Sequence, residues 1–404
     1  MKKININIYD IFVLLIILYT ISTFFYQLAP SLNAILGLVF SFIVFLIYST
    51  CLRKRDVFII VPIVFYLLVS VLEGEKPGIF FSHTVHLVTT VLFLWKLTDR
   101  VVLKKLDNSL TKLRTFIVGA ITLISVTNIV MLISGRFNST NLGSVVFLGM
   151  SSSSHTLASI SCMALIFLLN AFKNRKMTAA FIFNSISLIA IIIASGARSY
   201  LAVLLVVIYC YYNQKIRYLR YYKLITIGLI IVGVILFINS NMYERFIATY
   251  NNEYIASNRL AAMSSGRLSW WELDLRHFGS YSLINKLFGR GNEYVFQFNK
   301  SAYGLYIWAH NDFIQLLMAY GIFGFLLYII VLGQSIRNFY TRENRAFAII
   351  VLLTIISIAF LNGFFTQQHM VFFIVLMILL QEKPYEGADT GTRRLAPRGK
   401  SLTT

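Results

Sequence analysis

The sequence predicts an all-α polytopic membrane protein of about 12 transmembrane helices with one large external loop, and three observations carry that prediction. Hydrophobic residues make up 58% of the 404 and charged residues only 13%, about half of what a soluble domain uses to cover its surface. The apolar residues come in runs whose lengths suit the hydrocarbon core of a bilayer. One polar stretch, Asn239 to Asn311, is far longer than any other joint between runs.

The runs fall at 8–28, 31–51, 57–72, 79–97, 115–134, 152–172, 177–195, 199–213, 224–240, 312–332, 346–362 and 364–380. The first reads as a retained helix. Its apolar run is long, and Phe24-Phe25-Tyr26-Gln27 stands where a cleavage site would need small residues. Residues 1–380 therefore read as one transmembrane domain that carries the external loop 239–311. The remainder, 381–404, is polar, contains Gly and Pro and shows no periodicity, which predicts a disordered cytoplasmic tail or a remnant of cloning.

Orientation follows from the basic residues. With the N-terminus in the cytoplasm, most of the 36 Lys and Arg fall in inward joints, as at Arg53-Lys54-Arg55, Lys96 to Arg114 and Lys173 to Lys176. The short outward joints hold only Lys76, Arg136 and Arg198. A shift of one helix would scramble this alternation, so the long loop is expected outside. The formal charge of +20 is thus spent on topology and lipid headgroups, and nucleic acid is excluded as a partner. Cys51, Cys162 and Cys210 lie in or beside apolar runs without CxxC spacing, so neither a disulfide nor a metal is expected of them.

The candidate chemistry gathers at the outer boundary. His310 ends the loop and is followed by Asn311, Asp312 and, five residues on, Gln315. A neutral imidazole can take a proton from a hydroxyl at neutral pH, which makes His310 the candidate general base. Asp312 could orient it or cap the helix that begins there, and Asn311 and Gln315 are candidates for acceptor binding or orientation. Arg198 stands in the tight turn Ser195-Gly196-Ala197-Arg198-Ser199, Arg267 follows Ser264-Ser265-Gly266, and Arg290 lies between Gly289 and Gly291. Glycine lets a ligand approach the backbone, and guanidinium groups bind phosphate oxygens in pairs. The plainer reading is solvation, or pairing with Glu272, Asp274 and Glu293.

Three further features stay open between two readings. Trp270, Trp271 and Trp308 either sit in the interfacial belt or stack on sugar rings. His83 and His86 share one helix face, as a proton relay or as neutral hydrogen-bonding groups. The hydroxyls of Ser151 to Ser154 line a cavity or bond within their own helix.

The order of these motifs resembles the O-antigen ligase and Wzy polysaccharide polymerase family. The tight Ser-Gly-Ala-Arg-Ser turn comes first, then Ser-Gly-Arg and Phe-Gly-Arg-Gly in the loop, then His310-Asn311-Asp312-Phe313-Ile314-Gln315 running into Tyr320-Gly321-Ile322-Phe323-Gly324. The resemblance implies a bacterial membrane glycosyltransferase of the GT-C type, metal-independent and inverting, without a cofactor. It acts on oligosaccharide repeat units carried by undecaprenyl diphosphate in the cytoplasmic membrane, with the site on the external face. Carried over, His310 is the base and Arg198, Arg267 and Arg290 hold the diphosphate. A flippase and a chain-length regulator are the implied protein partners. A polymerase is the expected role, in capsule, O-antigen or exopolysaccharide assembly. The rivals are a ligase with another acceptor and a flippase or transporter of lipid-linked sugar. The transporter is disfavoured because the candidate charges cluster at the boundary and not at mid-membrane.

Overall fold

The computed structural model describes residues 6–50, 52–135, 138–141, 144–171, 178–197, 200–201, 203–205, 267–337 and 345–361, with isolated positions between 223 and 247 and between 363 and 376. Its helices are α1 (Ile8–Phe24), α2 (Pro30–Thr50), α3 (Val57–Leu72), α4 (Pro77–Lys96), α5 (Arg100–Ile133), α6 (Ser154–Ala171), α7 (Ala179–Ala194), α8 (Arg267–Gly279), α9 (Leu283–Phe288), α10 (Gly291–Tyr303), α11 (Asp312–Arg337) and α12 (Arg345–Leu361). An antiparallel hairpin of β1 (Asn138–Asn141) and β2 (Ser144–Phe147) follows α5.

α2, the stretch Lys54–Leu72 that contains α3, then α4, α5 and α11 are long and apolar enough to cross a membrane, and α1, α6 and α7 are shorter apolar helices. Large apolar side chains point outward from them, among them Leu32, Ile35 and Phe42 on α2 and Phe58, Val61 and Leu68 on α3. Water would not tolerate so continuous an apolar surface, whereas lipid requires it. The protein is an α-helical membrane protein. The expected spans 199–213, 224–240 and 364–380 lie largely outside the described residues.

Ion pairs tie the helix ends together. Lys112 meets Asp10 at 2.7 Å, Arg53 meets Asp99 at 2.6 Å, and buried Lys96 meets Asp56 at 2.7 Å, with Trp95 Nε1 donating to the same carboxylate. The start of α1, the joint from α2 to α3, the end of α4 and the start of α5 therefore share one end of the bundle. By the alternation of the chain, the joints 25–29 and 73–76 share the other. There Gln27 bonds to Met150 and Ser151, and Lys76 meets Glu293 at 3.3 Å. The joint expected at 98–114 is instead the first half of the 34-residue helix α5. Val102, Leu103, Leu106 and Leu110 are buried at helical spacing while Lys104 and Lys105 stay exposed, so an amphipathic stretch carries the helix beyond the hydrocarbon core.

The described part of the long loop is a helical module, α8 to α10, and an extended run 305–311 that enters α11. α9 and α10 pack on α11. Gly289 and Gly321 make this possible. A Cβ on Gly321 would lie 2.5 Å from the Leu287 carbonyl and 2.6 Å from the Gly289 nitrogen, and one on Gly289 would overlap the Ala319 carbonyl and the Tyr320 nitrogen. Both have positive φ, 81° and 66°, so α11 breaks at Gly321 where α9 ends against it. Tyr66 Oη donates to the Tyr320 carbonyl at 2.8 Å, satisfying an acceptor freed by the break.

Candidate functional site

His310 stands at the junction of the module and the membrane helix, and its backbone is unusual. Its φ of 53° is the only positive value at a non-glycine among the described residues, a conformation that costs roughly 1–3 kcal/mol and persists only where the surroundings impose it. They do. The Ala309 N–H donates to Gln315 Oε1 at 3.0 Å, and the Ala309 carbonyl accepts from Trp271 Nε1 at 2.9 Å. Two residues earlier, Asn299 Nδ2 donates to the Ile307 carbonyl at 2.9 Å. On the far side Asn311 Oδ1 accepts the N–H groups of Phe313 and Ile314, which caps α11.

The imidazole lies between two indoles, 4.9 Å from Trp308 and 6.4 Å from Trp270, ring centre to ring centre. His83 is buried behind Trp308, 6.1 Å from that ring, within electrostatic range of His86 and His310. Burial, with the Arg267 guanidinium adding to it, holds the His310 pKa down to about 4, so the ring is neutral at pH 7. Its Nδ1 has no hydrogen-bond partner among the described residues. The nitrogen is unprotonated and so free to accept a proton, but the burial and the guanidinium that keep it neutral also weaken it as a base until negative charge is held beside it.

The predicted residues divide by position. Arg267 opens α8, and the α8 face that carries it also carries Trp270, Trp271 and Asp274, at positions three, four and seven residues on. That face covers His310 and Ala309. Arg290 lies farther along the module, its guanidinium 3.7 Å above the Tyr294 ring, and its backbone N–H donates to the Met318 carbonyl at 3.2 Å. Arg198 lies outside the described residues; of the residues around it, Ala197 and Tyr200 are buried, and the Tyr200 ring lies 6.4 Å from the His155 ring. Asp312 Oδ2 accepts the Phe365 N–H at 3.1 Å, which ties the start of α11 to the last described segment. Gln315 Nε2 donates to Asn292 Oδ1 at 2.7 Å.

The proposed loop pairings resolve individually. Glu293 meets Lys76, exposed Arg276 meets Glu272 at 2.5 Å, and neither oxygen of fully buried Asp274 has a partner among the described residues. The tryptophans touch His310 and its neighbour. Ser153 Oγ accepts the Thr156 N–H at 3.1 Å, a helix-start contact within its own segment, and His369 Nε2 meets Ser159 Oγ at 2.6 Å.

Sequence reasoning missed Glu75, Thr84 and Asn292. Asn292 Nδ2 donates to Thr84 Oγ1 at 2.8 Å and to Tyr320 Oη at 2.6 Å, and Thr84 Oγ1 donates to both Glu75 oxygens at 3.1 and 2.8 Å. Asn292 follows the Gly-Arg-Gly motif directly, which was a signal. Glu75, a carboxylate in a four-residue joint, gave none.

Fold and site together define a polytopic helical membrane protein with a neutral histidine and an arginine where a surface module meets a spanning helix. Residues 183–329 match the family model Wzy_C, described as O-antigen ligase, so the family resemblance holds over this part of the chain. No curated protein and no solved structure matches. The matched segment runs from α7 through the Ser-Gly-Ala-Arg turn and the module into α11, and it contains His310 and all three candidate arginines. The O-antigen ligase description belongs to the family model, whose match covers just over a third of the chain.

Proposed function

We propose that the protein polymerises oligosaccharide repeat units of a capsule, O-antigen or exopolysaccharide at the outer face of the bacterial cytoplasmic membrane, with undecaprenyl diphosphate as the donor's carrier. His310 accepts the proton of an acceptor hydroxyl as that oxygen attacks the anomeric carbon from the side opposite the diphosphate. The bond from the anomeric carbon to the diphosphate oxygen breaks, and the configuration inverts. Arg198, Arg267 and Arg290 take up the charge that develops on the leaving group. Asn311 and Gln315 hold the base in register, and Asp312 anchors the helix behind it. The observation that carries this reading is His310 itself, partly buried, neutral and within electrostatic range of Arg267, at a backbone conformation that its neighbours impose.

A ligase is the second reading, favoured by the description of the matched family. Donor and site stay the same, and only the acceptor differs. Purified protein with a synthetic lipid-linked repeat separates the two: a ladder of repeats indicates polymerisation, and transfer only to an added lipid, protein or wall acceptor indicates ligation. In either case His310→Ala should lower turnover about 10² to 10⁴-fold while the protein still inserts. Arg267→Lys should fail nearly as badly as Arg267→Ala, because lysine keeps the charge and loses the paired donors. Excess chelator should change nothing. Near-normal turnover of His310→Ala, or turnover that needs a divalent ion, would sink the mechanism.

A further inference from the structure

The hydrogen bonds behind His310 form one directed chain. The Ala309 N–H donates to Gln315, the Gln315 amide to Asn292, the Asn292 amide to Thr84 and Tyr320, and the Thr84 hydroxyl to the Glu75 carboxylate. Along the branch through Thr84 every donor points toward Glu75. Aligned bonds polarise one another, and a low-dielectric interior strengthens them. Gln315, Asn292, Thr84 and Tyr320 are all buried. The chain also joins parts distant in sequence: the joint from α3 to α4, the π-helical turn Phe80–Val85 inside α4, the start of α10, and α11.

We propose that Glu75, Thr84, Asn292 and Gln315 are a positioning relay that fixes the Ala309 peptide from the membrane side, and through it the aim of the His310 ring. Trp271 fixes the same peptide from the module side by taking its carbonyl. With both polar groups of that peptide held and Asn311 committed to the α11 cap, His310 has no freedom to leave the left-handed region. The anchor is Glu75, the terminal acceptor, which receives Thr84 with both oxygens. The inference rests on His310 as the base, but the geometry it explains does not depend on which sugar is transferred.

The experiment compares the parent with Thr84→Val and Gln315→Leu, substitutions of similar volume that cut the relay at its middle and at its head. Turnover of a synthetic undecaprenyl-diphosphate-linked repeat should fall about 10- to 100-fold in each, with the donor KM nearly unchanged, as expected for a base moved by a fraction of an ångström. The double variant should be no slower than the slower single. His310→Ala/Gln315→Leu should be no slower than His310→Ala. Carbethoxylation of His310 by diethyl pyrocarbonate, read by mass spectrometry, should speed up in both single variants, because a freed peptide lets the ring turn out from between the indoles. This readout needs no activity. If the parent transfers no glycan and the modification still speeds up, the functional reading fails and the positioning relay stands. If Gln315→Leu lowers the melting temperature but leaves the modification rate of His310 at the parent value, the relay is merely structural and the proposal is overturned. Should Gln315→Leu not accumulate, Gln315→Asn, too short to reach both Ala309 and Asn292, carries the same expectations.

Discussion

At the scale of single residues, burial sets the charge of the groups around the site. His310 is held neutral mainly by desolvation, with Arg267 second. Its pKa of about 4 lies below the ordinary 6.5, so the ring stays unprotonated as pH falls through 6, and the proposed role as base predicts an acid limb of kcat/KM in the free enzyme near pH 4. A limb near the ordinary histidine value would mean that the ring is solvated in the working enzyme. Asp274 is shifted the other way. Burial without a partner raises its pKa from 3.8 to about 7. Between those values the unfolded chain is ionised and the folded chain is not, so unfolding releases a proton and stability falls as pH rises from about 4 to about 7, then levels off. Asp274→Asn removes that term. The variant should therefore melt above the parent by more at pH 8 than at pH 5, and an equal shift at both values would show that Asp274 is solvated.

At the scale of elements, two glycine motifs turn out to be two halves of one contact. Phe288-Gly289-Arg290-Gly291 was legible as a ligand-approach signal, because glycine permits close backbone approach, and Tyr320-Gly321 only as part of the motif order. In the structure much of that approach is of protein to protein, since the end of α9 seats in the break of α11. Gly321→Ala places a methyl 2.5 Å from the Leu287 carbonyl at a φ of 66°, where strain alone costs roughly 1–3 kcal/mol and the overlap adds to it. Gly333, in the same helix, has nothing within 4 Å of its would-be Cβ, so Gly333→Ala should be neutral or slightly stabilising. Melting temperatures of the two variants in detergent check this. Equal tolerance would mean that α9 does not seat on α11.

For the whole molecule the testable matter is which end of the bundle faces out. Ion pairs at Asp10, Asp56 and Asp99 gather one set of joints, and contacts at Gln27 and Lys76 gather the other. The positive-inside rule assigns the first set to the cytoplasm. In a background without Cys51, Cys162 and Cys210, a single cysteine at position 285 should react with an impermeant reagent on intact cells, and one at position 54 should not. The reverse pattern would put the site on the wrong side of the membrane for an externally displayed glycan donor.

Hydropathy and charge determined by themselves that the chain is a helical membrane protein, because the cost of burying a peptide group in lipid leaves few alternatives to an apolar helix. The motif order likewise marked out His310 and the matched family, since a titratable group at the end of a polar loop is conspicuous against an apolar chain. Only the tertiary structure decided what holds that histidine. Glu75, Thr84, Asn292 and Trp271 come from four separate places in the sequence and meet at the Ala309 peptide or in the chain behind it. Hydrogen bonds between distant segments leave no periodicity in a sequence, so only packing could bring these residues to light.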